Sequence, residues 1–230
     1  MSGVFVTGTD TGVGKTVVAC AIVRALRARG IAVGAIKPIE TGVGPGGPAD
    51  AIALREAAGG VGPLADVCPQ AFALAAAPEV AARAERRAVD LAAIDAAFAR
   101  LRAQHEFLVA EGAGGLLVPI AAGYSMADLA ARLGLPLVIV ARAALGTINH
   151  TRLTLAAAHT RGLRVAGVVI SHLGGALPAA DLANLALLRE ELGALWIGEI
   201  PPLAAGELPG PEQLDLDALI SRASAGASIS

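Results

Sequence analysis

Nine residues near the N-terminus, Gly8–Thr16 (GTDTGVGKT), gather glycines, a lysine and hydroxyls between a short apolar run and a helical pattern. A loop that holds phosphates needs glycines so that backbone can approach, amides pointing inward, a lysine for the β- and γ-phosphates and a hydroxyl for Mg²⁺. Gly12 and Gly14 meet the first need, the helix start at Lys15–Thr16 adds amides and a favourable dipole end, and Lys15 and Thr16 supply the rest. The spacing departs from the strict motif: five residues rather than four separate Gly8 from Gly14, and Thr9 stands where a glycine is usual.

Four further places carry chemistry. Phe107–Gly115 (FLVAEGAGG) is an apolar strand ending in Glu111, followed by Gly112, Ala113 and Gly114, where backbone can come close to a ligand; beside a phosphate loop, Glu111 reads as a partner for Mg²⁺. Asp50 opens a helix after a Gly/Pro loop, either as its cap or as a third oxygen for the metal. Lys37 ends the second strand in VGAIKPIETG, with Pro38 fixing the chain behind it and Thr41–Gly42 close by. Finally, Leu145–Thr151 (LGTINHT) sets Gly146, Thr147, Ile148 and Asn149 after a strand and at a helix start, where free amides would hold a carboxylate and Thr147 would serve as cap.

The elements that must position these residues are short apolar runs alternating with helical patterns. Strands are expected at Val4–Thr7, Ala32–Lys37, Phe107–Glu111, Leu137–Val140, Val165–Ile170 and Leu195–Ile200, with helices at Thr16–Arg29, Ala127–Leu133, Ile148–Thr160 and Ala179–Leu192. That rhythm predicts a three-layer α/β fold, a mostly parallel central sheet with helices on both faces, whose ligands sit at the carboxyl ends of the strands. Pro38–Ala49, with four Gly and three Pro, is expected to be a long functional loop. Residues 79–104 read as two surface helices, residues 1–220 as one domain, and Ser221–Ser230 as a fraying tail.

Composition agrees and excludes much else. Of 230 residues, 55% are hydrophobic and 3% aromatic, so the core must be built from Ala, Val, Leu and Ile; disorder is excluded. Eighteen basic against 20 acidic residues, with no basic stripe, argue against nucleic acid as a partner. No apolar run approaches a membrane span, and MSGVFVTGTD lacks the pattern of a secretory signal. Cys20 and Cys68 have no metal-binding spacing. A cytoplasmic protein is expected.

The ordered set GTDTGVGKT, KP-x-x-TG, the DAIAL helix start, EGAGGLLVP, LGTINHT and GEIPPL resembles the dethiobiotin synthetase family over roughly residues 3–203. The resemblance implies a P-loop fold and an ATP-dependent carboxylation of 7,8-diaminononanoate by CO₂, passing through a carbamate and a carbamic–phosphoric anhydride, with Mg²⁺ and without a biotin prosthetic group. It implies Lys37, Lys15 and Thr11 as catalytic residues, and Thr16, Asp50 and Glu111 as Mg²⁺ ligands. Nucleotide contacts fall on Gly12, Val13, Gly14, Lys15, Thr16, Val17, Asp50, Glu111 and Gly112–Gly114. Substrate contacts fall on Thr11, Lys37, Thr41 and, from the partner in a homodimer with a shared active site, Gly146–Asn149.

The chain departs from that family at the base end of the nucleotide. Ser171-His172-Leu173 stands where an Asn commonly reads adenine, Pro202 follows GEIP in place of a large aromatic, and either Glu207 or Glu212 occupies the nucleotide-edge position. The base is then contacted by His172 and Pro201–Leu203, and other nucleoside triphosphates are accepted beside ATP. Septum-site and plasmid-partition ATPases resemble the chain in fold, but their loop carries a signature Lys where Asp10 stands; amidoligases of cobyrinate type need an ammonia source for which 230 residues leave no room.

Overall fold

A computed structural model of the protein describes residues 2–172, 176–204 and 207–224. Its strands are β1 (Ser2–Gly8), β2 (Val33–Ile36), β3 (Ile39–Thr41), β4 (Gln70–Phe72), β5 (Phe107–Gly115), β6 (Pro119–Ala121), β7 (Tyr124–Ser125), β8 (Leu137–Arg142), β9 (Val165–Ser171) and β10 (Trp196–Ile200). Its helices are α1 (Lys15–Ala28), α2 (Ala49–Ala57), α3 (Leu64–Val67), α4 (Pro78–Ala84), α5 (Leu91–Gln104), α6 (Met126–Leu133), α7 (Thr147–Thr160), α8 (Ala179–Leu192) and α9 (Leu216–Ser224).

Six strands form one sheet in the order β10-β9-β8-β1-β5-β2. Every neighbouring pair in it is parallel. β1 lies inside the sheet; from it the chain first winds toward β2 and later toward β10, so the carboxyl end of β1 is the point where the winding reverses and where a ligand crevice opens.

The period of two along each strand divides the core. Val4 and Val6 of β1 and Phe107 and Val109 of β5 face the layer of α1, α2 and α9. Phe5, Leu108 and Ala110 face the layer of α4–α8. Both faces are covered, which is why the strands read as continuous apolar runs. Most core side chains are aliphatic, as a composition so poor in aromatics requires.

The expected strands and helices are present with ends shifted by a few residues, the largest shift being β5, which continues past Glu111 to Gly115. Three features differ from expectation. The Pro38–Ala49 loop contains β3, which pairs in parallel with β4 as a separate two-stranded sheet. Residues 119–125 form a small antiparallel hairpin from β6 and β7. The stretch expected to fray begins as helix: α9 runs through Ser221 to Ser224 and buries Leu216, Leu219 and Ala223, so ordered structure crosses the expected boundary at 220; residues 225–230 lie outside the described residues. Among the described residues, no helix is long and apolar enough to cross a membrane.

Candidate active site

The loop after β1 takes its shape from two glycines. Gly12 (φ 71°) and Gly14 (φ 89°) sit in the left-handed region that side chains disfavour, and Gly14 is the N-cap of α1. No side chain caps that helix, so its first-turn amides stay available to an anion beside the positive end of the dipole. Lys15 is buried, and its Nζ donates to the carbonyl of Asp10 at 3.2 Å, bending back over the loop. Burial and the nearby Lys37 lower its pKa, against the pull of Glu111 and Asp50; a bound triphosphate would supply the missing anion.

Lys37 emerges at the end of β2, 3% exposed. Its Nζ donates to Glu111 Oε1 at 2.5 Å and to Asp50 Oδ2 at 2.8 Å, with the carbonyl of Gly112 at 3.4 Å. Burial opposes the ammonium, but Glu111 and Asp50 together outweigh it and raise the Lys37 pKa, so the group is a permanent cation. The same contact answers burial at Asp50, whose pKa is lowered. Glu111 is fully buried on β5, and burial pushes its carboxyl up against the pull of Lys37. The Thr16 hydroxyl donates to Glu111 Oε1 at 2.9 Å, joining the phosphate loop to this pair.

These groups face a cavity of about 360 Å³ lined by Thr11, Gly12, Gly14, Lys15, Thr16, Val17, Lys37, Glu40, Thr41, Asp50, Glu111, Ala113 and Gly114. Most of the expected phosphate, metal and diamine-end residues therefore converge. Val13 does not turn its side chain into the cavity; it is buried in the core, and its contribution is backbone. Gly112 stands behind Glu111, reached through its carbonyl. Asp50 is not the cap of α2, since Pro48 holds that position; its carboxylate points instead at Lys37.

A divalent cation fits this donor set. Glu111 Oε2 is a buried carboxylate oxygen without a hydrogen-bond partner among the described residues; the Thr16 hydroxyl reaches the other oxygen of the same carboxylate, and Asp50 shares Lys37 with it. All are hard oxygens, and Mg²⁺ is commonly held by one or two carboxylates plus phosphates and water.

Other expected residues lie apart. Gly146–Asn149 form the start of α7, with Gly146 (φ 89°) as N-cap, so Thr147 is the first helical residue and not the cap. None of the four lines the cavity holding Lys37. His172 and Pro201–Leu203 meet at the ends of β9 and β10, where the His172 amide donates to Ile200 O at 2.9 Å. The His172 ring is already engaged, its Nε2 lying 2.5 Å from Glu199 Oε1, and Glu199 is also paired with Arg189. Leu173 lies outside the described residues. Glu207 folds back to accept from the Ala204 amide at 2.8 Å.

Glu40 was not anticipated. It lines the cavity, yet its motif neighbours gave no sign of a role. The available signal was Pro48, a helix N-cap with no side-chain acceptor, eight residues downstream of a carboxylate.

A second cavity of about 450 Å³ adjoins the first at Thr11, walled by Thr9, Asp10, Leu116, Leu117, Val118, Pro119, His150, Leu153 and Ala157. It is largely apolar.

The AAA domain family matches residues 2–207 of this chain. The chain is 54% identical over 207 residues, covering 87% of it and 92% of the relative, to ATP-dependent dethiobiotin synthetase BioD of Anaeromyxobacter dehalogenans. It is 38% identical to the protein of that name from Akkermansia muciniphila, covering 96% of this chain and 99% of the relative. Among solved structures, the MinD cell division protein of Aquifex aeolicus superimposes with a TM-score of 0.55 at 16% identity, covering 100% of this chain and 98% of that one, a likeness of fold alone. The chain belongs to the P-loop family of ATP-dependent dethiobiotin synthetases.

Proposed function

We propose that the chain is a dethiobiotin synthetase that carboxylates 7,8-diaminononanoate at the expense of ATP, in biotin biosynthesis and in the cytoplasm. The observation that carries this reading is a second buried cation. Lys37 lies outside the phosphate loop but opens on the same cavity as Lys15. Binding a triphosphate requires Lys15; a second fixed cation is wanted when another anion, such as a carbamate, must approach the γ-phosphate.

One amine of the substrate adds to CO₂, forming an N–C bond and losing a proton, to give the carbamate. A carbamate oxygen attacks the γ-phosphorus and ADP leaves. The second amine then attacks the carbamoyl carbon, closing the ureido ring and expelling phosphate. Lys15 and the α1 amides hold the triphosphate. Lys37 keeps its proton at Nζ and acts as a cation, not a base. Thr11, at the junction of the two cavities, is placed to donate to the carbamate, and Thr41 to meet the diamine end. Thr16, Asp50 and Glu111 would hold Mg²⁺, which would supply screening of the β- and γ-phosphate charge. Catalysis on this account is positioning and charge stabilisation.

The apolar second cavity suits the aliphatic chain of the substrate. Its carboxylate would then lie beyond, on the α7 amides of a partner subunit, making the enzyme a homodimer with shared sites. At the base end, the engagement of His172 by Glu199 leaves it little capacity to read adenine, which supports use of other nucleoside triphosphates beside ATP. The deciding experiment measures phosphate release with ATP and Mg²⁺, with and without diaminononanoate plus bicarbonate. Release that depends on the diamine, with dethiobiotin as product, is expected; diamine-independent release would favour a switch ATPase.

A further inference from the structure

The buried carboxylate of Glu40 has no part in the chemistry above, yet it is 6% exposed, borders the cavity and is fully committed. Its Oε1 accepts from the Asp50 amide at 3.0 Å and its Oε2 from the Ala51 amide at 2.9 Å. Helix α2 cannot satisfy these donors itself, because its N-cap is Pro48 and no side chain caps it. Glu40 therefore caps the helix from another element, with its negative charge at the positive end of the dipole.

That element is anchored independently of α2. Glu40 sits opposite Ala71 in the β3–β4 pair, and its neighbour Ile39 and Phe72 of β4 are buried in the second core. The amides of Gly42 and Val43 donate to Leu74 and Phe72 carbonyls, extending the attachment. The start of α2 thus takes its position from a strand fixed in the core, and the residue whose amide is gripped is the one whose side chain faces Lys37. Burial raises the pKa of the Glu40 carboxyl, against the pull of the two amides.

We propose that Glu40 is a positioning residue: by gripping the amides of Asp50 and Ala51 it sets the Asp50 carboxylate against Lys37 and Thr16, and so determines how tightly the site holds a divalent cation. The proposal rests on the reading of Asp50 as a metal ligand, but not on the identity of the diamine.

The test uses Glu40→Gln, which keeps size but turns an NH₂ toward one of the two amides, and Glu40→Asp, which keeps both acceptors with a shorter reach. Mn²⁺ binding is followed by electron paramagnetic resonance with a non-hydrolysable ATP analogue, and Asp50 and Ala51 amide exchange by NMR in the protein alone. Glu40→Gln should weaken Mn²⁺ binding about tenfold and speed exchange at both amides, with Glu40→Asp intermediate. In turnover, the change should fall on the Mg²⁺ concentration needed for half-maximal rate. Because Glu40 acts through Asp50, its effect on Mn²⁺ affinity should vanish in an Asp50→Ala background. Unchanged Mn²⁺ affinity in both variants would overturn the proposal, as would a Glu40→Gln effect that persists in full without Asp50. Failure of diamine-dependent turnover with these couplings intact would overturn the function and leave the positioning role standing.

Discussion

At the scale of single residues the site is a set of charges held by burial. Lys37→Ala should abolish turnover while nucleotide binding is retained. The loss is of transition-state stabilisation, ~3–4 kcal/mol by analogy with removal of one oxyanion donor; kcat within threefold of wild type would refute the role. The same pair predicts a pH effect. Raised Lys37 and lowered Asp50 pKa values stabilise the fold between them, a contribution lost as pH falls through the carboxylate range or rises past the ordinary lysine value. Lys37→Met leaves Glu111 buried without its cation, at ~3–5 kcal/mol. Its folded-state carboxyl then binds a proton more tightly than the unfolded chain does, so stability should fall as pH rises from 5 to 8. Thermal melts should show a steeper fall in the variant than in wild type, where Lys37 opposes the same upward push on Glu111; parallel profiles would contradict it. Lys15, Thr16 and Glu111 were legible because loop and strand ends place them by local spacing. Glu40 and the Glu199 partner of His172 were not, since each bond is made by the fold, across 10 or more residues and in one case to backbone amides.

At the scale of elements, long buried strands announce themselves and short ones do not. All six strands of the main sheet follow from apolar runs; β3 and β4, three residues each, are too short to show a period and exist because Ile39 and Phe72 find a core. Thr147 looked like the cap of α7 because hydroxyls usually cap, but Gly146 takes the left-handed turn that precedes it. Alternation along β5 makes a sharper point. Glu111 faces the phosphate loop, and Gly112, on the opposite side, lies against Phe5: a methyl there would sit 2.8 Å from the ring edge and 3.3 Å from Met126 Cγ. Gly112→Ala should therefore destabilise by ~1–3 kcal/mol through overpacking. In a chain of this size that is a fall in Tm of roughly 2–4 °C per kcal/mol. An unchanged Tm would mean that α6 yields more readily than its burial implies.

At the scale of the whole molecule, one subunit leaves its proposed substrate site incomplete. Leu117 and Leu153, 53% and 61% exposed, flank the apolar cavity, Leu145 is more exposed still, and the α7 start stays outside the cavity that holds Lys37 and Thr41. A two-fold partner would cover the leucines and bring in those amides; the family resemblance suggested this, and nothing in composition or periodicity did, because an interface is a property of two chains. The expected consequence is complementation. Lys37→Ala removes the cation from one half of a shared site. Asn149→Trp, on the exposed helical surface at the start of α7, obstructs the other half and avoids the strain that a side chain at Gly146 would meet. Each variant alone should be inactive. Mixed after subunit exchange, half the dimers are heterodimers, and each of these contains one site built from two intact halves, because a two-fold interface pairs each Lys37 with the other subunit's α7. Diamine-dependent phosphate release should then recover to about a quarter of the wild-type rate. Exchange is verified by mass spectrometry of tagged subunits, and confirmed heterodimers with no recovered activity would show that each site is built within a single chain.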